Sequence, residues 1–296
     1  MVKNFRTTVN WLMKISPTDL ILNKDGSVYH LNLLPENIAN TIIAVGDPGR
    51  VYKVSQYFDD IEFEMNKREF ITHTGKFGGK RITVISTGIG TDNIDIFFNE
   101  IDALVNIDLK TREPKIRKRK LKIIRIGTSG ALQEDIKLDS FLVSDYAIGL
   151  DNLMSYYNLS MNEMERNLAK ELQEKTGLPL MPYVVRGSDE LLEAIGAGMT
   201  VGNTVTCPGF YAPQGRSLRL PMRFPKLLED LNYFHSDGFW LTNFEMETAG
   251  YYALGKLLGH DVISVNAILA NRMTNKFSKN PDATIDSLIK TVLDRI

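Results

Sequence analysis

Short runs of β-branched residues alternate with longer helical stretches along this chain, and this alternation limits its fold more than any other feature. The predicted strands are Thr41–Val45, Phe70–Lys76, Arg81–Ser86, Lys122–Ile126, Phe141–Ser144, Tyr183–Arg186, Thr200–Thr206 and Val262–Ala267. The predicted helices are Asn93–Val105, Met161–Thr176, Glu190–Ile195, Glu247–Leu258 and Thr284–Arg295, the last capped by Thr284 and Asp286. Such alternation is typical of an α/β protein whose sheet is covered by helices.

Composition narrows the class of protein further. The chain has 296 residues, of which 43% are hydrophobic and 24% charged, as in an ordinary globular protein. It contains neither an internal repeat nor a low-complexity linker, so we expect one domain. The single cysteine, Cys207, excludes an intramolecular disulfide and a cysteine-based metal site, and it favours a reducing, cytoplasmic compartment. No apolar run approaches the roughly 20 residues that span a membrane, so no membrane partner is expected.

One stretch breaks the even distribution of charge. The chain has a net charge of −1, but Lys110–Lys122 carries eight basic residues and one acidic residue. Such a stretch could bind nucleic acid or an anionic surface. No aromatic residue is interleaved with it, so the stacking platform of single-strand binders is missing. A solvated, exposed insertion at about 108–121 is therefore the favoured interpretation, with no nucleic-acid partner.

Three glycine-containing segments follow predicted strands and could hold an anion. They are Val45–Arg50, Ser86–Gly90 and Arg125–Gly130. Glycine lets backbone N–H groups approach an anion, and an arginine can clamp it, although each segment alone could be a simple turn. Ligands of open α/β sheets bind at the carboxyl ends of strands, where these segments lie.

Arg125 lies inside an apolar strand, where an unpaired cation is costly. We therefore expect an acidic partner or an anionic ligand. Glu245 and Glu247 could supply the partner, since residues i and i+2 of an extended segment share a face. Alternatively, these two carboxylates only favour the first turn of the following helix. The sequence leaves both interpretations open.

Other kinds of site find little support. Gly196–Gly202 resembles a dinucleotide fingerprint, but it follows a helical stretch and its spacing is wrong. The four histidines show no metal-ligand spacing, and no serine-nucleophile motif is present.

Taken together and in this order, the segments resemble the nucleoside phosphorylase superfamily of the hexameric type. The segments are Gly-Asp-Pro-Gly-Arg, Ser-Thr-Gly-Ile-Gly, Arg-Ile-Gly-Thr-Ser-Gly and Glu-Met-Glu. Phe210–Arg216 looks like the uracil-recognition loop of its uridine phosphorylase branch, and Tyr29–Leu31, Arg68–Phe70 and Ala270–Arg272 match further motifs. Purine-specific members carry a Ser-Asp near the position of Ala270–Arg272, and none is found there. The resemblance covers residues 27–295.

The resemblance implies a nucleoside phosphorylase fold, which is a single-domain, three-layer α/β/α structure with a central mixed β-sheet. It predicts an N-terminal extension over residues 1–25 and a phosphorylase domain over residues 26–296.

The resemblance also implies roles for individual residues. It places phosphate at Gly46, Arg50, Arg125 and Thr128, with Arg68 of a neighbouring subunit. It places ribose at Met246 and Glu247, with His30 of a neighbouring subunit, and uracil at Phe210, Gln214 and Arg216. Arg125, Glu247 and Thr128 are the predicted catalytic residues.

The implied activity is phosphorolysis of uridine to uracil and ribose 1-phosphate in pyrimidine salvage. The implied partners are uridine, phosphate as co-substrate, and further copies of the chain, in a dimer or a hexamer built as a trimer of dimers. No cofactor is expected. A potassium ion at Glu69, Ile89 and Asn93 is left open, because Gly90-Thr91-Asp92-Asn93 replaces the usual Gly-Gly-Pro-Ser. The alternatives are a phosphorylase or nucleosidase for another nucleoside, and a non-catalytic nucleoside-binding protein.

Overall fold

A mixed β-sheet runs through the centre of the protein in a computed structural model that describes residues 14–296. The strands of the protein are β1 (Thr41–Val45), β2 (Asp60–Lys67), β3 (Phe70–Phe77), β4 (Lys80–Ser86), β5 (Ile107–Asp108), β6 (Glu113–Pro114), β7 (Lys122–Ala131), β8 (Phe141–Gly149), β9 (Tyr183–Arg186), β10 (Thr200–Thr206), β11 (His235–Ser236), β12 (Phe239–Trp240), β13 (Asn243–Glu245), β14 (Asp261–Asn271) and β15 (Lys276–Phe277). Strands β5 and β6 form a separate two-stranded sheet, as do β11 and β12, and the other strands form the central sheet. The α-helices are α1 (Pro48–Ser55), α2 (Thr91–Asn106), α3 (Glu163–Thr176), α4 (Asp189–Ile195), α5 (Leu227–Asn232), α6 (Thr248–Leu258) and α7 (Pro281–Leu293). Among residues 14–296, no helix is both long and apolar enough to cross a membrane.

Parallel pairing organises the centre of the sheet. Strand β1 lies between β4 and β7, and β7 pairs with β14, all in parallel. Antiparallel strands β3 and β2 extend one side beyond β4. The predicted α/β class with a central mixed sheet is confirmed.

Five of the strands close into a ring. Strand β14 pairs with β7 and also with β8, while β10 pairs with β8 and β13, and β13 returns to β7. The pattern of apolar residues did not predict this ring, because it depends on pairings between strands that are far apart in the chain. As a result, the ends of β7, β10 and β13 are brought to one side of the sheet.

Helix α6 is buried along most of its length and packs against α2. The rings of Phe97 and Phe98 on α2 lie 5.8 and 5.4 Å from the ring of Tyr251 on α6. The helix ends at Gly259, whose φ of 79° is left-handed, as expected for a glycine at this position. These contacts fix the first turn of α6 at the edge of the sheet.

The predicted elements differ from the observed ones mainly at their ends. Strands β1, β9 and β10 have the predicted bounds, whereas β7 continues to Ala131 because it also pairs with β13 and β14. The prediction that Thr284 and Asp286 cap the last helix is wrong. Helix α7 begins at Pro281, and Thr284 donates to Asp139 from within the helix.

The basic stretch is more than a solvated loop. Lys115 and Lys118 donate from Nζ to the carbonyl oxygens of Val105 and Asn106, at 3.0 and 3.3 Å. These are the last carbonyls of α2, where cations are favoured by the helix dipole. The stretch therefore also completes the end of α2.

Two hydrogen bonds connect the N-terminal segment to the basic stretch. Ile15 N–H donates to the carbonyl oxygen of Arg112 at 2.9 Å, and the Arg112 guanidinium donates to that of Leu20. Residues 1–13 of the predicted extension lie outside the described residues. The division into residues 1–25 and 26–296 stays a prediction.

Candidate active site

The ends of several strands surround a cavity of about 760 Å³. Strands β1, β4, β7, β10 and β13 all contribute residues at or just beyond their carboxyl ends. Of the predicted site residues, those that line the cavity are Gly46, Arg50, Glu69, Ile89, Asn93, Arg125, Thr128, Phe210, Gln214, Arg216, Met246 and Glu247. The structure therefore brings segments that are 200 residues apart in sequence into one site.

Arg125 lines this cavity and has four polar side-chain partners. Its Nη2 lies 2.5 Å from Glu247 Oε2 and 2.9 Å from Glu245 Oε2. Its Nη1 donates to Asn266 Oδ1 at 3.0 Å and to Ser264 Oγ at 3.3 Å. The predicted acidic partner of this buried cation is thus two carboxylates.

The surroundings of Arg125 and Glu247 shift the pKa values of both groups. Burial by itself would lower the pKa of Arg125, but the two carboxylates outweigh it and raise that pKa above its usual value. Burial raises the pKa of Glu247, and Arg125 opposes this shift. Glu247 Oε1 also accepts the N–H of Gly90 at 2.9 Å. The carboxylate is therefore held by both a cation and a backbone donor.

Glu245 was not among the predicted site residues, yet it links the cluster to helix α6. Its carboxylate accepts the backbone N–H groups of Glu247 and Thr248 at 2.9 and 3.0 Å, at the start of the helix. Thr206 Oγ1 donates to it at 2.7 Å. Glu245 therefore fits both interpretations of the two glutamates, because it stabilises the first turn of α6 and also pairs with Arg125.

A second cation approaches the cavity from helix α1. Asp47 caps this helix by accepting the N–H of Gly49 at 2.8 Å, and Arg50 lies in the first turn. The Arg50 side chain donates from Nη1 to the carbonyl oxygen of Ile126 at 3.1 Å. Burial lowers the pKa of Arg50, and the nearby charge of Arg125 lowers it further. Two nearly buried arginines at the same end of the sheet favour an anionic ligand.

The loop after β10 also lines the cavity. The Arg216 guanidinium lies 3.8 Å from the centre of the Phe210 ring, and it donates to the side-chain oxygen of the buried Gln214. Burial and the nearby Arg272 lower the pKa of Arg216 to about 10, so the group is charged at neutral pH. The loop thus offers an aromatic face, an amide and a cation.

Arg272 stabilises this loop through its backbone. It donates to the carbonyl oxygens of Gln214 and Gly215 at 2.9 and 3.3 Å. The sequence motif Ala270–Arg272 pointed to this position but not to its contacts.

Comparison with known proteins decides the family. A sequence profile of the phosphorylase superfamily matches residues 40–292. The chain belongs to the phosphorylase superfamily.

Several superfamily relatives cover nearly the whole chain. A uridine phosphorylase of Thermococcus kodakarensis is 31% identical over 86% of this chain and 82% of the relative. A DeoD-type purine nucleoside phosphorylase of Thermoanaerobacter sp. is 25% identical over 90% of this chain and 97% of the relative. The crystal structure of a Trypanosoma brucei nucleoside phosphorylase, described as showing uridine phosphorylase activity, has a TM-score of 0.87 and 31% identity. The match covers 94% of this chain and 99% of the Trypanosoma brucei chain. The resemblance seen in the sequence is confirmed.

Two predicted site residues of this superfamily member do not line the cavity. His30 contacts Glu100, at 2.6 Å between Nδ1 and Oε1, and Arg68 is exposed in the turn between β2 and β3. Both were predicted to act in the site of a neighbouring subunit.

Gly127 is expected to tolerate no side chain. A Cβ at this position would lie 2.0 Å from Arg125 Nη1 and 2.6 Å from Asn266 Oδ1. We therefore expect Gly127→Ala to displace the guanidinium and to lower kcat/KM for the phosphorolytic reaction by about 100-fold, as loss of one oriented donor does. Steady-state kinetics at 25 °C would measure this.

Gly259→Ala is the control for stability alone. Gly259 has a left-handed φ and lies at the far end of α6, so its substitution should lower the melting temperature without changing kcat/KM. Wild-type kinetics for Gly127→Ala would contradict the proposed importance of Arg125 placement.

Proposed function

We propose that this protein catalyses the phosphorolysis of uridine to uracil and ribose 1-phosphate, as a step of pyrimidine nucleoside salvage. One observation carries the proposal. Two buried arginines, a carboxylate pair and an amide–arginine–aromatic loop line the same cavity. The similarity to uridine phosphorylases over most of the chain supports it. Phosphate-dependent release of uracil from uridine tests it.

The phosphate subsite is proposed at Gly46, Arg50, Arg125 and Thr128. The Arg50 and Arg125 guanidinium groups can donate hydrogen bonds to a phosphate dianion, and the backbone N–H groups near Gly46 can do the same. A hydrolytic nucleosidase would have no need for these two cations, so the arginines favour phosphate over water as the nucleophile. Arg68 of a neighbouring copy is proposed to add a third cation.

The ribose subsite is proposed at Met246 and Glu247, with His30 of a neighbouring copy. The Glu247 carboxylate can accept hydrogen bonds from ribose hydroxyls while it remains paired with Arg125 at 2.5 Å. This pairing links the position of the sugar to the position of the phosphate.

The reaction follows from this arrangement. The bond between C1′ and the base nitrogen breaks, its electron pair leaves with uracil, and a phosphate oxygen bonds to C1′ of an oxocarbenium-like sugar, as in glycoside cleavage. Arg125 and Thr128 aim the phosphate, and the negative charge of phosphate and Glu247 stabilises the developing cation. Positioning and electrostatics supply most of the acceleration.

The base subsite is proposed at Phe210, Gln214 and Arg216. Uracil can stack against Phe210, and the Gln214 amide can donate to O2 and accept from N3–H. Arg216 can donate to O4 and stabilise the charge of the leaving base. Cytosine presents an amino donor at the position of O4, so it would face a cation and be rejected.

Gln214→Ala is expected to lower kcat/KM for uridine by about 30- to 100-fold and to change the KM for phosphate less than twofold. The amide would be lost from a buried position, where unpaired polar groups discriminate strongly. Initial rates at varied uridine and varied phosphate would measure both effects.

Gln56→Ala is the matched control, because Gln56 is an exposed glutamine outside the cavity. Equal losses in uridine use and phosphate use for Gln214→Ala would place the reading of the base elsewhere.

We also propose that the protein forms a homo-oligomer with shared active sites, either a dimer or a trimer of dimers. The position of Arg68 and His30 outside the cavity of their own chain supports this. We place the protein in the cytoplasm, since Cys207 is a buried free thiol.

We propose no cofactor. We propose a monovalent cation such as potassium at one edge of the cavity only as a site where the ion would displace the hydrogen bond from Asn93 Nδ2 to the Ile89 carbonyl oxygen at 3.4 Å. Glu69, Ile89 and Asn93 offer carboxylate, carbonyl and amide oxygens there. A Cβ on Gly88 would lie 3.1 Å from Glu69 Cγ and 2.5 Å from Asn93 Nδ2, so these side chains are close together. The ion would stabilise the positions of these three residues and would take no part in bond breaking or bond formation.

A further inference from the structure

Glu100 on helix α2 forms several hydrogen bonds with the loop that contains His30. Its Oε1 lies 2.6 Å from His30 Nδ1, and its carboxylate accepts the backbone N–H groups of His30 and Leu31 at 3.0 and 2.8 Å. The Glu100 side chain is only 13% exposed, and Leu31 is fully buried. Three hydrogen bonds from one loop thus converge on one largely buried carboxylate.

The loop itself is held in place independently of Glu100. Val28 N–H donates to the carbonyl oxygen of Leu33 at 3.0 Å, and Asn23 Nδ2 donates to the carbonyl oxygen of Val28 at 2.9 Å. The backbone fold of the loop therefore does not depend on the Glu100–imidazole contact alone.

The contacts of Glu100 determine which imidazole nitrogen carries the proton. Two of its donors are backbone N–H groups, so both oxygens of the side chain act as acceptors. An acceptor oxygen at 2.6 Å requires a proton on Nδ1, which leaves Nε2 of a neutral ring as an acceptor. Within residues 14–296, His30 Nε2 has no hydrogen-bond partner, and the His30 side chain is 30% exposed. The acceptor nitrogen is therefore available to a ligand.

We propose that Glu100 is a positioning residue that fixes His30 in the Nδ1-protonated tautomer, so that Nε2 accepts a hydrogen bond from the 5′-hydroxyl of a nucleoside bound in a neighbouring copy. This inference rests on the proposed function and on the proposed place of His30 in the ribose subsite. The carboxylate acts through the imidazole and touches no substrate. Carboxylates that orient a histidine in this way set its tautomer and ring angle in other functional sites.

Comparison of uridine with 5′-deoxyuridine isolates the proposed hydrogen bond. We expect the wild-type enzyme to prefer uridine by at least tenfold in kcat/KM. We expect Glu100→Gln to reduce that preference to less than threefold, because the amide would place an N–H against Nδ1 and turn Nε2 into a donor. Activity toward 5′-deoxyuridine should change less than twofold.

Three further variants complete the experiment. His30→Ala should show the same low preference, and Glu100→Gln should have no additional effect in the His30→Ala background. Glu174→Gln, which changes an exposed glutamate on α3, should retain the wild-type preference. A purely structural role of Glu100 would lower activity toward both substrates equally and leave their ratio unchanged, and that result would overturn the inference.

The tautomer itself can be measured without any activity. Long-range ¹H–¹⁵N spectra of the histidine-labelled protein, assigned with His30→Ala, should show His30 protonated at Nδ1 in the wild type and at Nε2 in Glu100→Gln. The same tautomer in both proteins would contradict the proposal, even if Glu100→Gln were poorly stable. Failure of the proposed function would be distinct, because the wild type would then release no uracil from uridine with phosphate.

Discussion

Arg125→Ala is expected to lower kcat/KM for uridine phosphorolysis by at least 10³-fold. The guanidinium is proposed to bind the phosphate and it holds Glu247 at 2.5 Å, so its loss would remove a cation and release a proposed ribose ligand together. Loss of a single cation that stabilises transferred phosphate can alone cost about 10³-fold. The phosphate dependence of the initial rate would measure the effect.

The same substitution should also destabilise the protein. It leaves Glu245 and Glu247 buried without their cation, and breaking a buried ion pair costs about 3–5 kcal/mol. Arg125→Lys keeps the charge without the planar fork, so it should recover much of the stability and little of the activity. Arg186→Ala, which changes a half-exposed arginine away from the cavity, should retain full activity. Near wild-type turnover by folded Arg125→Ala would count against the proposed phosphate subsite.

Glu247→Gln is expected to lower kcat/KM for uridine by about 10²- to 10³-fold. The amide keeps the size of the side chain but removes the charge that pairs with Arg125 and that is proposed to face the oxocarbenium-like sugar. The KM for phosphate should change much less, because both arginines remain.

The pH profile gives a second measure of Glu247. Burial raises the pKa of this carboxyl, so it takes up a proton at a higher pH than an ordinary glutamate does. The ionised form is the proposed active form, and activity should therefore fall as the pH falls through this raised pKa. Dividing the wild-type profile by that of Glu247→Gln cancels the titration of phosphate, which is common to both proteins. The ratio should decline toward acid pH.

The control for this experiment is Glu190→Gln, which changes an exposed glutamate paired with Lys122. Its profile should match that of the wild type. A pH-independent ratio for Glu247→Gln would mean that the charge of Glu247 does not limit the reaction.

Part of the site could be predicted because it follows from the chemistry of individual residues and their neighbours in the sequence. An arginine within an apolar strand must be neutralised, and the structure pairs Arg125 with the glutamates that the sequence offered. Strands β1 and β10 could be located because β-branched residues and flanking turns define them locally. Helix α1 could also have been found, since Asp47 followed by Pro48 is a typical helix start.

Other features depend on contacts that no local pattern contains. The closed ring requires β13 and β14 to pair with β7 across more than 100 residues of chain. Glu100 lies 70 residues from His30 and occupies one turn of an otherwise ordinary amphipathic helix. Arg272 supports the base loop through backbone carbonyls, whose positions the side-chain pattern does not specify. Tertiary packing alone determines these three features.

The most direct test is release of free base from uridine, thymidine, cytidine, inosine and adenosine, each with and without phosphate. The account predicts release of uracil from uridine only when phosphate is present, with ribose 1-phosphate formed in equal amount, and no release from cytidine or the purine nucleosides. Release of uracil without phosphate, or a preference for inosine or adenosine, would contradict it.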